Sequence, residues 1–426
     1  MTAVTRRHLG IIGVNVIIFL VFAELVALGF YYVDTGALFY IHRKSYPTLL
    51  ETARQQLTAD ALHPYFGPTH REGHPFDIPE SLQGPGASNG VTNNFGFVSP
   101  HNYPYRKIGD NQFVIGIFGG SVGVWFCQLG ADRMIADLKQ RGVFPGKDLV
   151  PLCFAHEGYK QPQQLLVLSY FLSIGQEFDL VINIDGVNEV ALSALNNARG
   201  VDISMPSPTH LDPLVNLIDQ STLTPDKLYL LADINRDKER LNGLVARMGR
   251  NRIASVNFVL ERLYERTRNR YTSELGRFVN LPSNPPEASV VVVTPSVRRR
   301  DEGSLYDDIA KEWASASILM NDMLAARAIA YVHVLQPNQY YTQRRFSDAE
   351  ARVAINAKSP FKEPVEKGYP ALVRATGELQ KKVRFLNGVG IFDGEQSPVY
   401  MDDCCHYTLA GNQRLADFIA ASIERK

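Results

Sequence analysis

Hydrophobic and polar positions divide the chain into an apolar N-terminal run, an irregular stretch, and a long region where short apolar runs alternate with helical patterns. The first run, Leu9–Val33, has 25 residues, and Glu24 is the only charged one. About 20 apolar residues cross a bilayer as a helix, so the run predicts a transmembrane helix over residues 9–33 after a cytoplasmic tail of residues 1–8. A cleaved signal peptide is the alternative. It is disfavoured because its apolar core has only about 7–15 residues.

Charges around this run say little about its orientation. Arg6 and Arg7 precede it, and Arg43 and Lys44 follow it. A short tail before a long C-terminal domain usually stays inside the cell. Residues 34–426 are therefore expected outside the cytoplasm.

Glu24 lies inside the apolar run, where a carboxyl group is costly. One interpretation is a protonated side chain, or one that reaches toward the outer interface. The other is a contact with a partner helix, which makes this face of the helix a candidate surface for a membrane-protein partner.

Five short apolar runs bounded by Gly, Pro, Asp or Asn follow further along the chain. They are Phe113–Phe118, Leu149–Phe154, Leu180–Ile184, Tyr331–Leu335 and Val389–Phe392. Buried runs of this length with helical patterns between them are typical of a parallel sheet covered by helices on both faces. The chain is therefore expected to contain an α/β domain over residues 112–426.

Two regions interrupt the alternation of strands and helices. Residues 34–111 are rich in Pro, Gly, His and Asn and predict an irregular lead-in. Residues from about 200–290 predict a helical insertion, with helices over Asp226–Arg247 and Arg252–Arg270. From the end of the first helix through the second there are seven arginines and two glutamates, which predicts a solvated face or a surface for anionic lipid headgroups or an acidic glycan. The stretch SVVVVT at the end of the insertion is either an extra strand or an extended connection.

Composition and missing motifs remove several function classes. Lys+Arg and Asp+Glu both number 44, so the net charge gives no support for nucleic-acid binding. The sequence has no Walker loop, no GxGxxG motif and no CxxC pair, so no nucleotide cofactor and no structural metal are expected. Cys405 is expected either to stay free or to bridge to Cys153 or Cys127.

The strongest chemical signal is FVIGIFGGSVG, from Phe113 to Gly123. An apolar strand ends, two glycines follow, and Ser121 stands at the turn before a predicted helix. Because ligand sites of α/β sheets form at the C-terminal ends of the strands, Ser121 is a candidate nucleophile. The alternative is a Gly-Ser loop without chemistry. The stretch also fits the GxSxG elbow of α/β-hydrolases, but no series of strands and helices precedes Phe113, as that fold requires.

A second signal precedes the last predicted helix, in DDCCHYTLAGN. A serine nucleophile needs a base that takes its proton, and the base needs a carboxylate that fixes its tautomer. His406 and Asp403, three positions apart, can supply both groups from one loop. Asp402 is the second choice for the carboxylate. The non-catalytic alternative is a helix-start Asp beside a surface His.

Two further loops follow strand-like runs and can supply hydrogen-bond donors. DGVNE places Asn188 after the third run, and HEGY places Gly158 after the second. A side-chain amide or a backbone N–H can stabilise the negative charge that develops on a carbonyl oxygen during acyl transfer. Each loop is a weak signal alone, and the common position at strand ends gives them weight.

Three other side chains near these motifs have structural interpretations first. Trp125 is expected in the core or in a wall of the site. His156 is a loop residue or lines the site. His333, in a buried run, is expected to be a hydrogen-bonded core residue.

The four blocks in this order resemble those of the SGNH, or GDSL-like, hydrolase superfamily. The matching positions are Ser121 in FGGSVG, Gly158 in HEGY, Asn188 in DGVNE, and Asp403 with His406 in DCCH. The resemblance implies a flavodoxin-like α/β/α sandwich with a five-stranded parallel sheet. It also implies a Ser-His-Asp triad with an oxyanion hole formed by the serine, glycine and asparagine blocks. The serine block is not a literal GDSL sequence, and the helical insertion is large, so the substrate is not implied.

The stretches NNFGF and HVLQP also resemble a membrane-anchored bacterial subgroup. This implies a single-pass protein of the bacterial inner membrane, with its catalytic domain facing the periplasm or the cell exterior. Three functions are then consistent with the sequence. The first is a hydrolase for an acyl or O-acetyl ester of a small molecule, lipid or glycan. The second is an acyltransferase onto a glycan or lipid with the same triad, and the third is a non-catalytic subunit of a membrane complex.

Overall fold

The structure is a computed structural model that describes residues 3–42, 60–79, 82, 84, 89–211, 214, 221, 223–282, 284 and 299–424. The chain divides into two units, one of residues 1–59 and 218–290, the other of residues 60–217 and 291–426. The stretch SVVVVT and the charged pair Arg43-Lys44 lie outside the described residues.

Twelve α-helices have both ends among the described residues. They are α1 (Ala3–Thr35), α2 (Phe39–His42), α3 (Ser121–Leu129), α4 (Ala131–Gln140), α5 (Gln163–Ser173), α6 (Val187–Ala198), α7 (Pro225–Arg250), α8 (Ala254–Asn280), α9 (Glu302–Ala325), α10 (Asp348–Ala354), α11 (Lys362–Leu379) and α12 (Leu409–Ser422). The first unit holds α1, α2, α7 and α8, and the second holds the others.

The second unit is built on one five-stranded parallel sheet. The described strands are β1 (Asp60–His63), β2 (Gly67–His70), β3 (Pro75–Phe76), β4 (Gly90–Val91), β5 (Gln112–Gly119), β6 (Asp148–Cys153), β7 (Leu180–Asp185), β8 (Ala330–Leu335) and β9 (Arg384–Asn387). The first four form two short antiparallel pairs within the predicted lead-in, and the last five form the sheet in the order β6-β5-β7-β8-β9. This is the 2-1-3-4-5 order of flavodoxin-like folds. The predicted α/β class and the five-stranded parallel sheet are confirmed.

The core of this unit follows the two central strands. All residues of β7 and six of the eight in β5 are buried, which is why both strands read as unbroken apolar runs in the sequence. Phe118 at the end of β5 stacks on Phe154, which follows β6, with ring centroids 4.9 Å apart. This packing holds the C-terminal ends of neighbouring strands together.

The fifth strand lies earlier in the chain than the sequence predicts. The predicted strand Val389–Phe392 forms turns after the sheet, and β9 ends just before Gly388. The physical reason is that β9 is an edge strand whose two end residues are polar and exposed, so it lacks a continuous apolar run. The run that follows is apolar because Phe392 is buried in the core beyond the sheet.

The first unit combines α1 with the hairpin of α7 and α8. Within α1, Ile11–Asp34 is long and apolar enough to cross a membrane. Both predicted helices of the insertion are confirmed, and α8 continues to Asn280, ten residues beyond its predicted end.

Glu24 contacts α8 of its own chain. Its carboxylate accepts hydrogen bonds from the backbone N–H groups of Ala254 and Ser255, at 2.7 and 2.9 Å. The Ser255 hydroxyl donates a third, at 2.7 Å. This carboxylate is therefore satisfied within the unit, and a partner protein on the Glu24 face stays a prediction.

The four cysteines form two disulfides, Cys127–Cys153 and Cys404–Cys405. The prediction that Cys405 is free or pairs with Cys153 or Cys127 is therefore wrong. The reason is the fold around α3: it packs on β6, and the Cα atoms of Cys127 and Cys153 lie 6.0 Å apart, a normal distance for a disulfide.

Candidate active site

Ser121 lies at the C-terminal end of β5, as the first residue of α3. Gly119, the last residue of β5, has a φ of +149°, and a Cβ there would come within 2.3 Å of the carbonyl oxygen of Ile184. A Cβ at Gly120 would come within 2.2 Å of the Nδ2 atom of Asn188. Both glycines are therefore needed for the sharp turn from strand to helix while the loop after β7 lies against it.

The fold brings Ser121 and His406 into contact. The Nε2 atom of His406 lies 2.7 Å from the Oγ atom of Ser121. The Nδ1 atom of the same ring is hydrogen-bonded to the carboxylate of Asp402. The His406 side chain is 19% exposed, so the base is accessible while held on both sides. In this order of groups an imidazole can take the proton of a serine hydroxyl.

The carboxylate beside the imidazole is Asp402, and the prediction of Asp403 is corrected. The side chain of Asp403 instead accepts a hydrogen bond of 2.7 Å from the Nδ2 atom of Asn356, and its backbone carbonyl accepts hydrogen bonds from two hydroxyl groups. These contacts direct the Asp403 side chain away from the imidazole. A spacing of three residues therefore misleads here, because the segment between is a tight turn and not a helix.

The turn itself explains the choice of Asp402. Its Oδ1 atom accepts hydrogen bonds from the backbone N–H groups of Cys404, Cys405 and His406, at 3.0, 3.0 and 3.2 Å. This leaves the Oδ2 atom beside the imidazole. Burial alone raises the pKa of Asp402, but the hydrogen bond and charge of His406, together with the backbone N–H groups, outweigh it and hold the pKa at about 2. The carboxylate is therefore ionised at neutral pH.

Asn188, the second residue of α6, and Gly158, on the loop after β6, lie beside the turn that carries the serine. The Nδ2 atom of Asn188 donates a hydrogen bond of 2.9 Å to the carbonyl of Tyr159, and its second N–H remains for another acceptor. Gly158 has a φ of +75°, and a Cβ there would come within 2.4 Å of the ring of His210, so a side chain is excluded. In the part of the chain that the structure describes, the N–H groups of Ser121 and Gly158 donate no hydrogen bond.

Glu189 joins the start of α6 to the loop after β6, a role that the sequence did not predict. One carboxylate oxygen accepts a hydrogen bond of 2.7 Å from the N–H of Gly186, and the other accepts one of 2.9 Å from the N–H of Gln161. The side chain is buried, and burial followed by the charge of Asp185 raises its pKa. Its position as the third residue of α6, where capping carboxylates occur, was the available signal in the sequence.

His333 is the hydrogen-bonded core residue that the sequence predicts, and this prediction is confirmed. Its Nε2 atom lies 2.7 Å from an oxygen of Asp185, and its Nδ1 atom lies 2.7 Å from the hydroxyl of Ser317. Trp313 donates a further hydrogen bond of 2.7 Å to the same Asp185 oxygen. This network anchors the end of β7, which leads into the helix that carries Asn188.

A second group of imidazole and carboxylate side chains supports the loop that carries Gly158. The Nε2 atom of His70 lies 3.0 Å from a carboxylate oxygen of Glu157, and the Nδ1 atom of His156 lies 2.9 Å from the Glu157 carbonyl. Burial lowers the pKa of His156 to about 4. Burial alone raises the pKa of Glu157, but the hydrogen bond from His70 and the neighbouring imidazole charges lower it to about 2. His156 is thus a buried loop residue.

Two clusters of the described residues bring possible metal-ligand atoms together. They are Cys404, Cys405 and His406, and His70, His156 and Glu157. The two cysteines are joined in a disulfide and offer no thiolate, and His70 and Glu157 already pair with each other. We assign no metal to either cluster.

Trp125 is partly exposed and lies beside the base, which favours its interpretation as a wall of the site. Its ring centroid is 6.5 Å from that of His406, and Phe76 packs on it edge-on at 5.2 Å. The two aromatic rings give the site an apolar surface next to the imidazole.

No protein-family model and no curated protein sequence matches the chain. Among solved structures it is similar to a GDSL-like lipase from Bacteroides thetaiotaomicron, at 12% identity and a TM-score of 0.32 over 74% of this chain and 87% of that one. A putative acylhydrolase from Bacteroides fragilis is 11% identical, with a TM-score of 0.32 over 74% of this chain and 88% of that one. An acetylxylan esterase from Geobacillus stearothermophilus is 10% identical, with a TM-score of 0.33 over 75% of this chain and 98% of that one. Because these TM-scores are low, the function proposed below is argued from the geometry of the site and not from these structural similarities.

Proposed function

We propose that the chain is a membrane-anchored serine hydrolase that cleaves an ester through Ser121, His406 and Asp402. The observation that carries the proposal is the contact of 2.7 Å between the His406 imidazole and the Ser121 hydroxyl, with the carboxylate of Asp402 on the opposite ring nitrogen. A hydroxyl is a weak nucleophile unless a base takes its proton during attack. The three side chains supply the nucleophile, the base and the group that orients the base.

The reaction follows from this order of groups. His406 accepts the Ser121 proton at Nε2 while Oγ attacks the ester carbonyl, and the ionised Asp402 stabilises the imidazolium that forms. The N–H groups of Ser121 and Gly158 and the side-chain amide of Asn188 donate hydrogen bonds to the oxyanion. His406 then protonates the leaving alcohol, and a water molecule activated by the same base hydrolyses the acyl-enzyme.

The substrate class is an acyl or O-acetyl ester on a small molecule, lipid or glycan. The partial exposure of the His406 side chain supports access of an ester to the base. An acyltransferase with the same triad differs only in the acceptor that attacks the acyl-enzyme. Release of acid from the ester in buffer alone, with no added glycan or lipid hydroxyl, identifies the hydrolase.

We assign the anchor to α1 and an extracytoplasmic location to the second unit. The length and apolar composition of Ile11–Asp34 support a membrane segment. The two disulfides support an oxidising compartment, such as the periplasm or the cell exterior, because cytosolic thiols are usually kept reduced.

Labelling by a fluorophosphonate tests the proposal directly. The reagent phosphonylates an activated serine, so the full chain in detergent micelles is expected to carry the adduct on the peptide that contains Ser121. The chain is also expected to hydrolyse a short p-nitrophenyl ester, and the label is expected to stop that hydrolysis. An adduct on another residue of an active preparation would contradict the assignment.

Replacing Asn188 by alanine is expected to lower kcat on the same ester by on the order of 10²–10³, with a smaller change in KM. The amide contributes most when the carbonyl oxygen becomes negative, which happens in the transition state and not on substrate binding. Steady-state kinetics measure both constants. Asn197→Ala, on the same helix but hydrogen-bonded to Arg300, is the matched control and is expected to retain kcat. An unchanged kcat for Asn188→Ala would remove this residue from the oxyanion hole.

A further inference from the structure

The turn between α7 and α8 is attached to the apolar helix α1. Glu24 accepts hydrogen bonds from the first two backbone N–H groups of α8, those of Ala254 and Ser255. The partial positive charge at a helix N-terminus favours a carboxylate at this position. Ala254 is fully buried, in a cluster with Ala27 and Tyr31 of α1.

A second contact shows that α8 runs alongside α1 in the same direction. The ring of Phe30 packs on that of Phe258 with centroids 4.8 Å apart. The guanidinium group of Arg262 lies over both rings, at 5.3 and 5.1 Å from their centroids. Glu24 contacts Ala254 and Ser255, and Phe30, further along α1, contacts Phe258, further along α8. The two helices therefore run in the same direction.

These contacts set the depth of the turn relative to the apolar segment. Glu24 lies ten positions before Asp34, the end of the segment that can cross a membrane. A hydrocarbon core needs only about 20 of the 24 residues of this segment, so a core that begins at Ile11 ends near Phe30. At 1.5 Å per residue, Glu24 then lies about 9 Å below the outer boundary of the core, a depth from which arginine side chains extend to the headgroups. Wherever α1 enters a bilayer, the first turn of α8 lies beside its inserted part.

The surface of this turn combines exposed apolar and basic side chains, as suits the boundary between acyl chains and lipid headgroups. Ile253, Val256 and Val259 are spaced three apart on one face and are 51%, 43% and 56% exposed. Between Arg247 and Val256 the chain has three arginines, all exposed, and no carboxylate. Arginine side chains of this kind extend along apolar surface and bind lipid phosphate groups with their guanidinium groups.

We propose that the α7–α8 turn, residues 247–259, enters the outer leaflet of the lipid bilayer beside α1, held there by Glu24. Its three apolar side chains contact acyl chains, and Arg247, Arg250 and Arg252 bind phospholipid phosphates. This inference rests on the proposed anchoring of α1 but not on the proposed esterase chemistry. The chain thus has a second, re-entrant attachment to the membrane.

Tryptophan quenching by brominated lipid tests the proposal on the full chain. The chain with a single added tryptophan, Ile253→Trp, is reconstituted into vesicles of phosphatidylcholine and phosphatidylglycerol that contain phosphatidylcholine brominated on its acyl chains. The signal of the unmodified chain, which has Trp125 and Trp313, is subtracted. We expect a loss of fluorescence for Ile253→Trp comparable with that for Phe19→Trp in the middle of α1.

Two controls separate the possible results. Tyr229→Trp lies on the same hairpin at a site that is 77% exposed, about 30 Å from the turn along α7, and is expected to show no quenching. Quenching of Phe19→Trp without quenching of Ile253→Trp or Val256→Trp would overturn the proposal, leave the anchor intact, and point to a protein partner on this face. Absence of quenching at Phe19→Trp would overturn both the anchor and the proposal.

The contribution of Glu24 is tested in the same assay. Glu24→Ala leaves the N–H groups of Ala254 and Ser255 without their acceptor, so we expect quenching of Ile253→Trp to fall while quenching of Phe19→Trp is retained. Full quenching at position 253 in the Glu24→Ala chain would show that this carboxylate does not hold the turn in the bilayer.

Discussion

Ser121→Ala is expected to lower kcat for a p-nitrophenyl ester by on the order of 10⁶, to the level left by substrate binding and oxyanion donors. In the proposed mechanism the Oγ atom of Ser121 forms the acyl-enzyme, and without it His406 has no hydroxyl to activate. The full chain in detergent micelles is the material, and both the burst of p-nitrophenol and the steady rate are measured. Fluorophosphonate labelling is expected to disappear in parallel.

Ser173→Ala is the matched control for this change. Ser173 is exposed at the end of α5, and its hydroxyl donates only to the carbonyl of Tyr170, so activity is expected to stay unchanged. If Ser121→Ala retains a rate within tenfold of the unmodified chain, the triad is not the source of hydrolysis. If neither chain hydrolyses esters or takes the label, the non-catalytic role for this fold is favoured.

Asp402→Asn is expected to lower kcat by on the order of 10⁴, with little effect on folding. An asparagine retains an oxygen for the N–H groups of Cys404, Cys405 and His406. Its amide then faces the Nδ1 atom of the imidazole as a donor, so the ring proton moves to Nε2. In that tautomer the Nε2 atom cannot accept the serine proton.

Asp403→Asn separates the two carboxylates that the sequence leaves open. The side chain of Asp403 contacts Asn356 and not the imidazole, so this variant is expected to retain kcat within a few-fold. Parallel kinetics of the two variants at one pH decide between them. A large loss in Asp403→Asn with an active Asp402→Asn would show that Asp403, and not Asp402, orients the imidazole during catalysis.

Much of the sheet could be predicted from the sequence because its central strands are buried on both faces. The central strands β5 and β7 are buried over most or all of their length and read as apolar runs, and the helices that follow them begin at or near Ser121 and Asn188. The edge strand β9 could not be found in this way, since its polar ends face solvent and the next apolar run belongs to the core beyond the sheet. The hydrophobic pattern of a sequence reflects which residues are buried, and at an edge strand the buried residues do not coincide with the residues of the strand.

The site residues that the sequence missed or ranked second are set by contacts that only the folded chain makes. Asp402 is selected by three hydrogen bonds within a turn whose shape no spacing rule contains. Glu189 joins loops that follow different strands, and His70 reaches Glu157 from a hairpin in the lead-in. Each of these roles depends on a donor or acceptor that only the folded chain brings within reach.

Any chimera of this protein must transfer two segments as a pair. Glu24 and Ser255 stand 231 positions apart, yet one supplies the acceptor that the other's backbone requires. Replacing the N-terminal helix by that of an unrelated anchor would leave the N–H groups of Ala254 and Ser255 without their carboxylate acceptor in apolar surroundings. Replacing the hairpin alone would leave the Glu24 carboxylate without its donors. Co-variation between position 24 and positions 253–256 is therefore expected among relatives.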